Sequence, residues 1–176
     1  MDKNNISEEY KKQLIKYFFQ CALSELSKMI IFGIIFSAFD LFTEYLFALI
    51  LLILLRTNGG GLHLKHYVSC LIMSFSVLAT SIFLGTFLYL SIWITYVLLL
   101  VSIFLAYKLV PIVSKNRPPA SEKLIKKSKR NTLIILILYF ILICIVPMNL
   151  YLNIGTWIIV IHICQLLLAK FQERRH

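Results

Sequence analysis

Charge is scarce in this 176-residue chain, and acid is scarcer still. Asp, Glu, Lys and Arg make up 15% of the residues, and only 8 are acidic. A soluble domain carries about 25% charge. The composition is instead 60% hydrophobic with a mean hydropathy of +0.84, which excludes a soluble all-α protein with an ordinary core. The four cysteines, Cys21, Cys70, Cys144 and Cys164, include no CxxC or CxxxC spacing, so there is no disulfide framework. Three of them lie in apolar stretches, where Cys acts as a small hydrophobe. Only Cys70 has polar, titratable neighbours. The opening MDKNNISEEYKKQ has no apolar core and no small-residue cleavage site. No signal peptide is therefore expected, and the first membrane segment serves as the targeting signal. The net charge is +10, but the cations flank apolar spans, so membrane topology accounts for them and nucleic acid does not. No internal repeat is evident.

What is present is a series of apolar runs, most near 20 residues, the length that crosses a hydrocarbon core about 30 Å thick. They predict a single-domain (1–176), all-α, polytopic integral membrane protein with the lipid bilayer as its solvent. Residues 5–20 read as an amphipathic helix on the cytoplasmic face. Ser7 is its N-cap, with Glu8 and Glu9 in the first turn. Leu14, Ile15, Phe18 and Phe19 lie opposite Lys11, Lys12 and Lys16. A helix over 18–39 follows, with Gln20, Ser24, Ser27 and Lys28 on one face, turned to protein or water rather than lipid. Asp40 and Glu44 interrupt the apolar run, and 45–55 resumes it. Further spans cover 67–90, 92–110, about 131–147 and 150–169, the last two joined by a tight turn at Pro147–Asn149.

Charge placement sets the topology. Residues 114–130, SKNRPPASEKLIKKSKR, hold seven Lys and Arg against one Glu, and Pro118-Pro119 blocks a continuing helix. This loop belongs in the cytoplasm, as do the basic termini. An even number of crossings must separate these regions, so 18–55 must enter and return. A break near Asp40 gives about six transmembrane or half-spanning helices. The 45–55 piece, about 17 Å long as a helix, is either half-spanning or extended by its flanks. The stretch after it then lies at the cytoplasmic membrane surface.

That stretch, RTNGGGLHLKHYVSC (56–70), gathers one Arg, three consecutive Gly, two His and a Cys. The glycines end the preceding helix and permit positive φ. An imidazole can take the proton of a thiol, and the thiolate is a nucleophile. His63, His66 and Cys70 also fit three metal donors at i, i+3 and i+7, the basis of an alternative reading as a small metal or solute transporter component. On a continuous helix His66 reaches Cys70, whereas His63, about 10 Å away along the axis, reaches it only across a bent chain. No acidic orienter stands out; Asp40 and Glu44 are available in space only. His162 and Cys164, two apart on one helix, point to different faces. His162 reads as structural and His176 as a solvated tail.

The pattern Arg56-x4-Gly61-x-His63-x6-Cys70 resembles the signature of the accessory gene regulator B (AgrB) family, membrane peptidases of Gram-positive quorum sensing. The downstream YKLVPIVSKNRPPASEKLIKK (107–127) is similar too, as are chain length, basic loop and number of spans. The resemblance implies a cysteine endopeptidase in the bacterial cell membrane. It would cleave a short AgrD-like precursor and close a thiolactone, as a homodimer and without metal or other cofactor. The implied nucleophile is Cys70 and the implied base His63 rather than His66, with Arg56 and Gly61 in support. The implied precursor has an amphipathic helix, a Cys-bearing segment and an acidic tail, and Lys115, Arg117, Lys126 and Lys127 of the basic loop are candidates to attract that tail.

Overall fold

The computed structural model describes residues 19, 23–60, 67–111 and 122–175. The N-terminal amphipathic segment (Phe19 apart), Gly61, His63, His66, Lys115, Arg117 and His176 lie outside them. The described residues are helical and contain no strand. They form α1 (residues 23–38), α2 (Phe42–Gly59), α3 (Tyr67–Phe87), α4 (Ile92–Leu109), α5 (Glu122–Ile145) and α6 (Leu150–Arg175). Helices α2 to α6 are each long and apolar enough to cross a membrane. The chain is a multi-pass membrane protein. It divides into two compact units, one ending at Phe42 and the other running from Thr43.

In the first unit, α1 carries the expected polar stripe. Lys28 Nζ meets Glu25 Oε1 at 2.7 Å, and Ser27 Oγ donates to the Ser24 carbonyl at 2.9 Å. The break at Asp40 is real. Asp40 sits in the left-handed region at φ 57, its N–H donates to Ser37 O, and Leu41 N–H reaches back to Phe36 O at 2.9 Å. This is a Schellman ending, in which the left-handed position is normally glycine. A side chain there costs about 1 kcal/mol. Asp40→Gly is therefore expected to stabilise the folded chain by roughly 0.5–1 kcal/mol, read as a rise in unfolding midpoint in bicelles. A fall would contradict this account of the break.

In the second unit, α6 is the most enclosed span and packs against α3 and α4, while α5 packs against α4. Hydrophobic attraction between helices is weak in lipid, so close backbone approach carries the packing. Gly85 of α3 meets α6 so tightly that a Cβ there would lie 2.7 Å from Ile154 Cα. Gly155 of α6 is covered by Tyr139, whose hydroxyl donates to Leu152 O at 2.7 Å. Hydroxyls along the spans turn back on their own helices, as Ser81 does to Val77 O and Thr156 to Leu152 O. Large apolar side chains such as Phe83, Trp93, Leu100 and Ile145 face outward, as a lipid-facing surface requires.

The five spans alternate in direction, so the bundle has two unlike ends. At one, Asn153 Nδ2 donates to Gly85 O at 2.7 Å and Leu88 O at 2.9 Å, and its Oδ1 accepts from Leu90 N–H. Asn149 caps α6 through Leu152 N–H, and Tyr89 hydroxyl bonds Met148 O. The 146–149 turn is where the sequence put it. Every described Lys and Arg of this unit lies at or toward the other end: Arg56, Lys108, Lys123 to Arg130, Lys170 and the close of α6.

Of two open boundaries, one falls within expectation and one departs from it. The 45–55 run is extended by its flanks into an 18-residue helix. Helix α5 starts at Glu122, so the second half of the basic segment 114–130 is helix rather than loop. The reason is compositional: EKLIKKSKR is made largely of good helix formers, with an acid in the first turn.

Candidate functional site

The polar residues of the basic end converge on the close of α2. Thr57 Oγ1 donates to Ile53 O at 2.8 Å and Asn58 Nδ2 to Leu54 O at 2.9 Å, satisfying terminal carbonyls from within. Gly60, at φ 83, donates its N–H to Arg56 O at 3.1 Å and stops the helix. That is the left-handed glycine ending, and a residue with a Cβ is strained there. The chain then enters the 61–66 segment and resumes as α3 at Tyr67.

Three neighbours hold this end of α2. Arg56 Nη1 donates to Ser74 Oγ on α3 at 2.9 Å. Ser74 lies one turn beyond Cys70 on the same face, and both are buried. On α5, Ser128 Oγ donates to Asn58 O, and Asn131 Nδ2 donates to Asn58 Oδ1 at 3.2 Å. Gly59 is buried against Thr132 of α5 and His162 of α6. The position a Cβ would take at Gly59 lies 3.4 Å from His162 Nε2 and 3.6 Å from Thr132 Oγ1. Arg56 is within electrostatic range of His162 as well.

Cys70 is a buried thiol in the first turn of α3. The other two described cysteines, Cys144 and Cys164, are exposed on lipid-facing surface, as small hydrophobes would be. The structure thus brings Arg56 and Cys70 to one end of the bundle, on adjacent helices joined through Ser74. Glu44 is not among them. It lies in the first turn of α2, bonded to Thr43, about 18 Å along the helix from Arg56. Lys126 and Lys127 are exposed near the start of α5, at the same end. Lys129 instead stacks over the Tyr107 ring at 4.0 Å.

Among the described residues no three His, Cys, Asp or Glu side chains gather as a metal-holding group; His63 and His66 are not covered by that statement. Sequence reasoning missed Ser74, although its i+4 relation to Cys70 was readable. It also missed the Asn58–Ser128–Asn131 set, whose signal was polar residues recurring at the ends of two apolar runs.

The sequence matches the accessory gene regulator B family over residues 1–168. The chain belongs to the AgrB family. An AgrB-like protein of Clostridium perfringens (strain SM101 / Type A) is 27% identical over 152 residues, covering 82% of this chain and 71% of that protein. No solved structure matches it. Neither match points to a transporter. AgrB membership links the chain to the processing of a peptide precursor at a membrane, and Arg56 and Cys70, two of the residues behind the sequence resemblance, stand at the basic end of this AgrB bundle.

Proposed function

We propose that this AgrB protein is a membrane cysteine endopeptidase that cleaves a short quorum-sensing precursor and closes its thiolactone. The observation that carries the proposal is the buried Cys70 thiol. It stands at the start of α3, one turn from the Arg56–Ser74 bond, at the end of the bundle where α2 closes on Gly60, three residues before His63 in the sequence.

In this reading His63 takes the Cys70 proton, and the thiolate attacks the carbonyl at the end of the signal segment. Arg56 and main-chain N–H groups of the glycine run are the donors available to the oxyanion. The tetrahedral intermediate collapses, the C–N bond breaks, and the departing amine of the acidic tail takes the proton from His63. The signal segment is left as a thioester on Cys70. The precursor's own Cys then gives its proton to His63 and attacks that thioester. Cys70 leaves and recovers the proton. One thioester is exchanged for another, a nearly isoenergetic step. An intramolecular thiol held close therefore outcompetes water in a site that excludes it.

In the same reading the basic end and both termini face the cytoplasm, the side that the positive-inside rule favours for Lys and Arg. A homodimer is part of the same reading. The test is direct: the purified chain in vesicles, mixed with synthetic precursor, releases the acidic tail and a cyclic product one water lighter than the linear segment. Return of intact precursor overturns the proposal.

Lys126 and Lys127, with Lys115 and Arg117, are the surface proposed to draw in the acidic tail. Reversing two exposed charges near a membrane surface costs about 1–2 kcal/mol of attraction. Lys126→Glu with Lys127→Glu is expected to weaken precursor binding about tenfold, less at high salt, with insertion unchanged. Equal binding of the variant and the parent discards the idea.

A further inference from the structure

Helix α6 carries a buried polar pair that nothing above uses. His162 is fully buried and Gln165 nearly so, and they share a face at i, i+3. Among the described residues, both ring nitrogens of His162 and both carboxamide atoms of Gln165 have no hydrogen-bond partner. Buried polar atoms are nearly always paired, because leaving one unpaired costs about 1–3 kcal/mol. Most other buried polar side chains of this unit obey the rule: Asn153 and Thr156 are bonded, and so are Ser74, Ser81, Thr95 and Thr132. Four orphaned atoms on two adjacent side chains are the exception, and their place is telling. His162 Nε2 lies enclosed against Gly59, where a Cβ would stand only 3.4 Å away, three residues beyond Arg56 at the close of α2. Arg56 is in turn bonded to Ser74 on the helix that carries Cys70.

We propose that His162 and Gln165 form a seat for the main chain of the peptide substrate. The chemistry is that of an amide. A neutral imidazole offers one donor and one acceptor, and a carboxamide offers donors and an acceptor, the complement of a peptide N–H and C=O. Neither group carries the fixed charge that would select the acidic tail, so the seat takes uncharged backbone of the signal segment. Filling the seat requires α2 and α6 to part at Gly59; an extended segment entering there has its own N–H and C=O, otherwise unsatisfied in this apolar setting, satisfied by the pair. The two side chains are positioning residues. They hold the segment that Cys70 attacks, and the inference rests on the peptidase reading for what that segment is.

The test exploits opposite signs. If the pair were only a structural burden, an apolar isostere would relieve it: Gln165→Met would raise thermal stability and leave the precursor untouched. A seat predicts unchanged or raised stability together with binding at least tenfold weaker. Binding of the fluorescein-labelled synthetic precursor is measured by anisotropy in bicelles, on a Cys70→Ala background so that no turnover occurs. In the otherwise wild-type chain, Gln165→Met raises KM more than it lowers kcat. His162→Phe, close in shape to the imidazole, is read in the same way, with His162→Gln restoring part of the binding. Unchanged affinity in the folded apolar variants overturns the seat, and so does failure of both to fold, which makes the pair structural. Because binding is read without cleavage, a chain that binds precursor through these residues but never cuts it retains the seat and loses the peptidase. A chain that cuts equally well without them does the reverse.

Discussion

Cys70→Ser inserts, folds and leaves the precursor uncut. The substitution keeps a small polar atom at the start of α3 and preserves the Arg56–Ser74 contact one turn away. What it removes is the sulfur that the proposed mechanism uses as its nucleophile. Residues that act as a unit lose nearly all activity singly, so the expected drop is about a thousandfold or more. His63→Ala is expected to fall as far, and the double variant no further. His66→Ala is expected to keep cleaving, because the proposal makes His63, not His66, the base. The readout is cleavage of co-expressed precursor, normalised to protein in the membrane. Loss with His66→Ala and survival with His63→Ala would assign the base to the wrong histidine.

The second large effect is structural and travels to the site through packing. Gly85→Val places a branched side chain where even a Cβ lies 2.7 Å from the Ile154 main chain of α6. Backbone cannot swing aside as a side chain does, so α3 and α6 must separate. The Asn153 bonds to Gly85 O and Leu88 O stretch with them. Overpacking and lost buried hydrogen bonds together cost about 3 kcal/mol or more. Helix α3 carries Cys70 and α6 carries His162, so activity falls with stability. The expected result is a lowered unfolding midpoint in bicelles and little folded protein in the membrane. A Gly85→Val chain as stable as the parent would mean that the two helices do not meet there.

The sequence revealed the bundle because of where it puts charge. Cations cluster at alternate helix ends, and requiring them on one side forced the break at Asp40 that the Schellman turn displays. It concealed boundaries where polarity and helicity part company. Thr43, Glu44, Thr57 and Asn58 look like loop beside an apolar run, yet each lies within α2, and Thr57 and Asn58 bond their own helix carbonyls. Lys123 to Arg130 look like a solvated loop, yet they wind the start of α5. At the site, Arg56, the terminating glycines and Cys70 were readable as a motif. The separation of His162 from Cys164 was also readable, since one is buried and the other exposed. What one strand of sequence could not show is that His162 meets Gly59, because that juxtaposition depends on α2 and α6 meeting across about a hundred residues.

The central claim is a thioester on Cys70, and it is tested by intact-mass analysis of the chain after incubation with a precursor whose cyclising Cys is replaced by Ala. Such a substrate can load the enzyme but cannot close a ring, so the acyl-enzyme accumulates. The account predicts a mass increase equal to the signal segment less water, located on Cys70, removed by neutral hydroxylamine and absent from the His63→Ala chain. Release of the acidic tail with Cys70 unmodified throughout would contradict it.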